Sequence, residues 1–280
     1  MSKRKQAVNE MEEDGSDASL IDVEFDFFDP NPDVDYLAVK RLANQLWQGD
    51  AESMQLQDLA DLVLSQPQVG TTVKCDGKES DPYAFLTVIN IHVHQSRPFV
   101  KALVEFVLQK STGNKAFHET LKSLLGTQGL QSQAHVGFVF SERLVNMPVQ
   151  IMPVMYKMLA EEMQWAVDDN APFRFTHYIF LSQIYKLSAE EAAELEARVP
   201  PTKRQRAVTQ HSQPKIISVH PEDEQIGQLA TFTTDFNYST ALPRDSESFG
   251  LDLGGRLMLM PAERLPQLVQ ALTEAHPAPQ

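Results

Sequence analysis

The chain has 280 residues, 42% of them hydrophobic and 22% charged, and 38 acidic against 24 basic side chains leave a formal net charge of −14. That mix excludes wholesale disorder, and no run of ~18 apolar residues is available for a membrane span. The acid excess argues against a nucleic-acid partner, whose phosphates require Lys and Arg, and favours a basic one.

Residues 1–19 are polar and lack hydrophobic period, which predicts a disordered acidic tail. In Ile21-Asp-Val-Glu-Phe-Asp-Phe-Phe28 apolar and acidic residues alternate, the period of a half-buried strand. Helices are expected over Leu37–Trp47 and Leu56–Val63, the second stopped by Pro67. Val69–Cys75 and Tyr83–His92 read as two strands of a hairpin. Pro98 suits a first helical residue before the stripe Val100, Leu103, Val104, Val107 and Leu108. A further helix runs from Phe117 to Gly126, and Ala134–Phe140 is a short apolar strand. Pro148 opens the longest helix, to about Asp169; Pro153 inside it predicts a distorted first turn or a later start. Arg174–Tyr185 is a long strand, Glu190–Glu196 a short acidic helix and Pro200–Pro214 a polar linker. Strands at Ile216–Val219, Thr231–Tyr238 and Arg256–Met260 and a helix at Ala262–Glu274 complete the chain. This order predicts an α/β fold, a mixed central β-sheet flanked by helices. Residues 20–275 are expected to form a single domain with a flexible linker at about 187–214.

Several chemistries lack their residues. There is no phosphate loop, no His-Glu-x-x-His and no Gly-x-Ser-x-Gly. The single cysteine, Cys75, excludes an internal disulfide and a thiolate zinc cluster and fits a reducing compartment. It reads as a small buried hydrophobe rather than a nucleophile. His92 and His94 would share a face on a strand, but no third ligand is within sequence reach, so no metal is expected. The opening Met1-Ser-Lys-Arg-Lys5 lacks the apolar stretch of a signal peptide.

The element order resembles the GCN5-related N-acetyltransferase fold, in which a glycine-rich loop between a strand and a long helix cradles a pyrophosphate. The matching junction here, Ser141-Glu-Arg-Leu-Val-Asn-Met-Pro148, has no glycine and places Glu142 where an anion would sit. A fold of that type without its cofactor loop, and without a cofactor, is the expectation.

The charge is concentrated. Residues 1–35 hold eleven acids against three bases, −8 of the total −14. Asp22, Glu24, Asp26, Asp29, Asp33 and Asp35 line the first strand and its turn, and read either as an acidic shelf for a basic partner or as protection of an edge strand. Lys203, Arg204 and Arg206 fit a nuclear-import signal on an exposed linker, or simply a solvated loop. The Met-rich Val145–Tyr156 reads as core or as an adaptable groove.

Phe25-Asp-Phe-Phe-Asp-Pro-Asn-Pro-Asp33 with Asp35-Tyr-Leu-Ala-Val-Lys-Arg-Leu42 resembles the N-terminal signature of the BCCIP family. Val69-Gly-Thr-Thr-Val-Lys-Cys75, Asp81-Pro-Tyr-Ala-Phe-Leu-Thr-Val88, Ser141-Glu-Arg-Leu-Val-Asn-Met-Pro-Val-Gln150 and Arg256-Leu-Met-Leu-Met260 extend the resemblance along the chain. It implies a non-enzymatic nuclear protein that shuttles with the cytoplasm, nearer the fungal branch. Such a protein would shield a basic ribosomal protein of the large subunit, support subunit assembly, and export cargo such as a lipid kinase with nuclear transport factors. No catalytic residues carry over. Two other readings are an acyl-coenzyme-A-dependent N-acetyltransferase and a salt-insensitive scaffold using Met152 or Met155.

Overall fold

The computed structural model describes residues 24–66, 68–192, 215–240 and 252–277. Its strands are β1 (Asp26–Phe28), β2 (Thr71–Lys74), β3 (Ala84–Asn90), β4 (Val136–Arg143), β5 (His177–Leu187), β6 (Lys215–Ser218), β7 (Phe232–Phe236) and β8 (Asp252–Pro261). The helices are α1 (Tyr36–Trp47), α2 (Leu56–Leu64), α3 (Pro98–Lys110), α4 (Lys115–Leu125), α5 (Ile151–Asp168), α6 (Asp223–Leu229) and α7 (Leu265–Ala275). The strands form one open mixed sheet in the order β1-β2-β3-β4-β5-β8-β7, with β6 paired to β5. Among the described residues only β4 and β5 run parallel; the other pairs are antiparallel. The expected α/β architecture is thus present.

Alternation along the central strands places one apolar set on each face of the sheet. Phe85, Ile89, Phe138, Phe140, Ile179, Leu181, Leu257 and Leu259 point to one side, where α1–α4 cover them. Trp47 is the hub of that layer, with ring centroids 5.7 Å from Phe99, 5.8 Å from Phe138 and 6.2 Å from Phe140. Leu86, Val88, Val139, Tyr178, Phe180, Met258 and Met260 point to the other side, under α5, α6 and α7. Strands covered on both faces read as continuous apolar runs, which is why β3, β4 and β8 show little alternation in sequence.

Pro153 is the third residue of α5. The first four N–H groups of a helix have no intrahelical partner, so a proline in the first turn breaks nothing. The helix accordingly starts at Ile151, three residues after Pro148. Pro98 opens α3 as expected, and the N–H of Phe99 donates to Asp58 Oδ2 at 2.9 Å.

Some expectations need correction. β3 ends at Asn90, so His92 and His94 lie in the following turn rather than on a strand. β4 continues to Arg143 and β8 begins at Asp252, four residues before the expected Arg256. Helix α6 has no counterpart among the expected elements. The strand expected over 21–28 is seen as Asp26–Phe28, with 21–23 outside the described residues. The tail at 1–19 and the linker core at 193–214 also lie outside them. Of the acidic helix at Glu190–Glu196, only a turn at 189–192 falls within them.

Candidate functional site: an acidic edge and a closed notch

β1 ends the sheet path, and its partner β2 covers only one of its edges. Phe25 and Phe27 pack towards the α5 side of the core, which turns Glu24 and Asp26 outward; Asp29 and Asp33 follow in the turn, and all four acids are exposed. The acids extend sideways, since the charges of Asp26 and Asp76 both act on Cys75, and those of Asp29 and Glu161 both act on Glu162.

Asp35 is not part of this surface. It is fully buried and accepts from Lys74 Nζ at 2.6 Å, while its other oxygen accepts from the N–H of Asn31 at 2.8 Å. Lys74 also donates to the carbonyl of Lys78 at 2.7 Å. Asp35 therefore pins the acidic turn and the β2–β3 loop to the sheet. Its sequence neighbours gave no sign of this, because the countercharge lies 39 residues away. Asp22 and the basic trio Lys203, Arg204 and Arg206 lie outside the described residues.

The β4–β5 junction is the second distinctive place. The strands pair from Val136↔His177 to Val139↔Phe180 and then part. Because β8 holds the other edge of β5, β6 takes over the edge that β4 has left, pairing Ile184↔Ser218 to Leu187↔Lys215. The connection from β6 to α6 closes the notch between them. His220 Nε2 lies 2.9 Å from Glu142 Oε1, and Arg143 makes a bidentate pair with Glu222, both contacts at 2.8 Å. Arg143 also donates to the carbonyl of Met147 at 2.8 Å, and so holds the loop before α5.

Burial alone would lower the His220 pKa, but the hydrogen bond and charge of Glu142 outweigh it and the net shift is upward. Burial would likewise raise Glu222, but Arg143 outweighs it and the carboxyl is held down. Asp223 has no such rescue. Burial, with Glu222 and Glu142 adding to it against His220 and Arg143, pushes its carboxyl up to about 8. The remaining cavity is about 10 Å³, room for one water. Glu142 Oε2, Ser182 Oγ, His220 Nδ1 and Asp223 Oδ2 border it without a hydrogen-bond partner among the described residues.

The remaining sequence candidates resolve as structural. His92 Nδ1 accepts from the N–H of Val136 at 3.2 Å, and its Nε2 lies 3.2 Å from the carbonyl of Gly129. Both nitrogens are thus committed to the backbone. No group of three or more His, Cys, Asp or Glu among the described residues could hold a metal ion. Cys75 is half-buried rather than the buried hydrophobe expected; burial, then Asp76 and Asp26, raises its thiol, which opposes thiolate formation. Met152 and Met155 are buried in the core, so neither side chain is available to a partner. No helix among the described residues is long and apolar enough to cross a membrane.

An α/β protein with an acidic sheet edge, and with its parallel-strand notch filled by its own chain, is the class these features define. The chain belongs to the BCCIP family, whose signature matches residues 20–226. It is 38% identical to the protein bcp1 of Schizosaccharomyces pombe over 268 residues, covering 94% of this chain and 93% of that one. It is 35% identical to the protein BCP1 of Debaryomyces hansenii, with 95% and 89% covered. The crystal structure of BCP1 from Saccharomyces cerevisiae is similar, with a TM-score of 0.61 at 25% identity over 95% of this chain and 93% of that one. None of these names denotes an enzyme.

Proposed function

We propose that this protein is a non-enzymatic nuclear chaperone and escort that shields a basic ribosomal protein of the large subunit. In this reading it supports subunit assembly and export of cargo, and it shuttles between nucleus and cytoplasm with Lys203, Arg204 and Arg206 as import signal. The observation that carries it is the exposed row Glu24, Asp26, Asp29 and Asp33 along the edge strand β1 and its flanking residues, in a chain whose acid excess is concentrated at that end. Such a surface raises the association rate of a basic partner and suppresses wrong ones. We read the frame as that of an acetyltransferase without its cofactor loop. Supporting this, the loop after β4 has no glycine, and a notch with room for one water leaves no space for an acyl thioester.

Changing Glu24, Asp26, Asp29 and Asp33 together to Gln or Asn should weaken binding of a basic large-subunit ribosomal protein about tenfold or more at low salt. The figure takes ~0.2–1 kcal/mol per exposed charge pair. The same variant should flatten the fall of affinity with salt, because fewer screened contacts remain. Titrations at two salt concentrations check this, and equal affinities for variant and parent would remove the acidic edge from the mechanism.

A further inference from the structure

Helix α5 carries more apolar surface than its core needs. Ile151, Met152, Met155, Tyr156, Leu159, Met163 and Ala166 form the buried stripe. Val154, Met158 and Trp165, with Glu161, stand at i, i+4, i+7 and i+11 on one flank of the helix, about 120° round from that stripe at ~100° per residue. Trp165 is 64% exposed, Val154 43% exposed and Met158 half-buried, and none joins either core cluster. The face opposite the stripe is polar, with Lys157, Gln164 and Asp168 exposed, so the row widens the apolar stripe out into solvent. Exposed tryptophan is costly to leave in water and is the residue type most enriched at binding hot spots. Among the charges around the row acids outnumber bases, although Lys157 Nζ lies 3.9 Å from Glu161 and partly offsets it. Between 154 and 169 the exposed ones are Glu161, Asp168 and Asp169 against Lys157 alone, and Asp29 of the acidic edge acts electrostatically on Glu162, next to Glu161.

We propose that the outer face of α5, centred on Trp165, is a docking surface for a basic amphipathic helix of the partner. The partner's apolar side would lie along Val154, Met158 and Trp165. Its Lys and Arg would meet Glu161, Asp168 and Asp169, and a cation over the exposed indole adds to the attraction. The geometry fits the helix-against-apolar-row mode of recognition, with apolar anchors at Val154, Met158 and Trp165 and Glu161 at the turn between the last two. The inference rests on the basic-partner reading, and names an apolar surface that adds to the charge attraction of the acidic edge.

The test uses the full chain and a tryptophan-free amphipathic peptide of Leu and Lys. The chain has two tryptophans, and Trp47 is fully buried, so a change in emission on binding reports Trp165. The expected result is a blue shift with the Leu/Lys peptide and none with a Leu/Glu peptide of the same pattern. Trp165→Ala should weaken the labelled Leu/Lys peptide about tenfold by anisotropy; its side chain packs on no core, so the variant folds. Peptide binding with unmoved emission, or with affinity unchanged by Trp165→Ala, overturns the docking face and leaves the basic-partner reading standing. Equal binding of the Leu/Glu peptide, or a shift that follows protein concentration alone as in self-association, overturns the basic occupant. Failure to hold any ribosomal protein overturns the basic-partner reading itself, and is seen separately from the peptide result.

Discussion

Replacing Lys74 by Met is expected to lower the unfolding free energy by about 3–5 kcal/mol, the usual cost of leaving one member of a buried ion pair without its partner. The Asp35 side chain has no exposure and that of Lys74 is 1% exposed, so water cannot rescue the carboxylate that the substitution strands. Changing both together, Lys74→Met with Asp35→Leu, should restore much of the loss, because the pair's attraction is largely offset by its own desolvation. The N–H of Asn31 and the carbonyl of Lys78 would then lose their side-chain partners, so recovery should be incomplete. Urea unfolding of the two single variants and the double variant supplies the coupling energy. A single variant within about 0.5 kcal/mol of the parent, the range of ordinary surface changes, would show that the pair is not a keystone of the acidic turn.

Asp223→Asn is expected to stabilise the protein, and increasingly so as pH rises. The Asp223 carboxyl titrates near 3.8 when exposed and near 8 in the fold. Below about pH 4 both states are protonated and the group costs nothing. Between about 4 and 8 the unfolded chain ionises while the folded one holds its proton, so folding stability falls with pH; above 8 the loss is complete. His220 works in the same direction. Its folded value is raised, so its contribution is present below 6.5 and is lost as pH passes through that raised value. Asparagine keeps the shape without the titration. At pH 8 the variant should gain on the order of 3 kcal/mol, a figure set by ~1.4 kcal/mol for each tenfold change in proton affinity and reduced for relaxation of the site. At pH 4 it should gain little. Unfolding curves at both pH values check this, and parallel pH profiles for parent and variant would contradict a buried, protonated Asp223.

The sequence carried the frame of the fold, because that frame is built on apolar periodicity. The stripes of α3 and α5, the β2–β3 hairpin and the closing helix are patterns of burial and were readable as such. What could not be read is pairing between charges far apart in the chain. Arg143 and Glu222 are 79 residues apart, and nothing local marks either as buried. β4 runs on to Arg143 because β3 pairs with it that far, Leu86↔Ser141 to Ala84↔Arg143, so the first three residues of the expected junction are strand. Helix α6 escaped for a related reason. It has seven residues and buries only Asp223 and Ile226, too few to show a helical period.

The acidic edge was legible as a charge pattern, with one misassignment. Asp35 continues the acidic run of Asp29 and Asp33, but the turn carries it inward to Lys74. The face of α5 was also within reach. Val154, Met158 and Trp165 widen the apolar stripe of α5 beyond the residues its core buries, and a stripe that wide is itself a signal. Met152 and Met155 mask it, because they belong to the buried stripe and make the whole segment read as core.

The central claim, that this chain shields a basic ribosomal protein, is tested most directly by sedimentation. Purified large-subunit ribosomal proteins, one at a time, are mixed with the full chain at physiological salt and spun. The account predicts that at least one stays in the supernatant as a complex with the chain. It also predicts that the same protein pellets when Glu24, Asp26, Asp29 and Asp33 are neutralised. If every ribosomal protein pellets alike with and without the chain, the account is wrong.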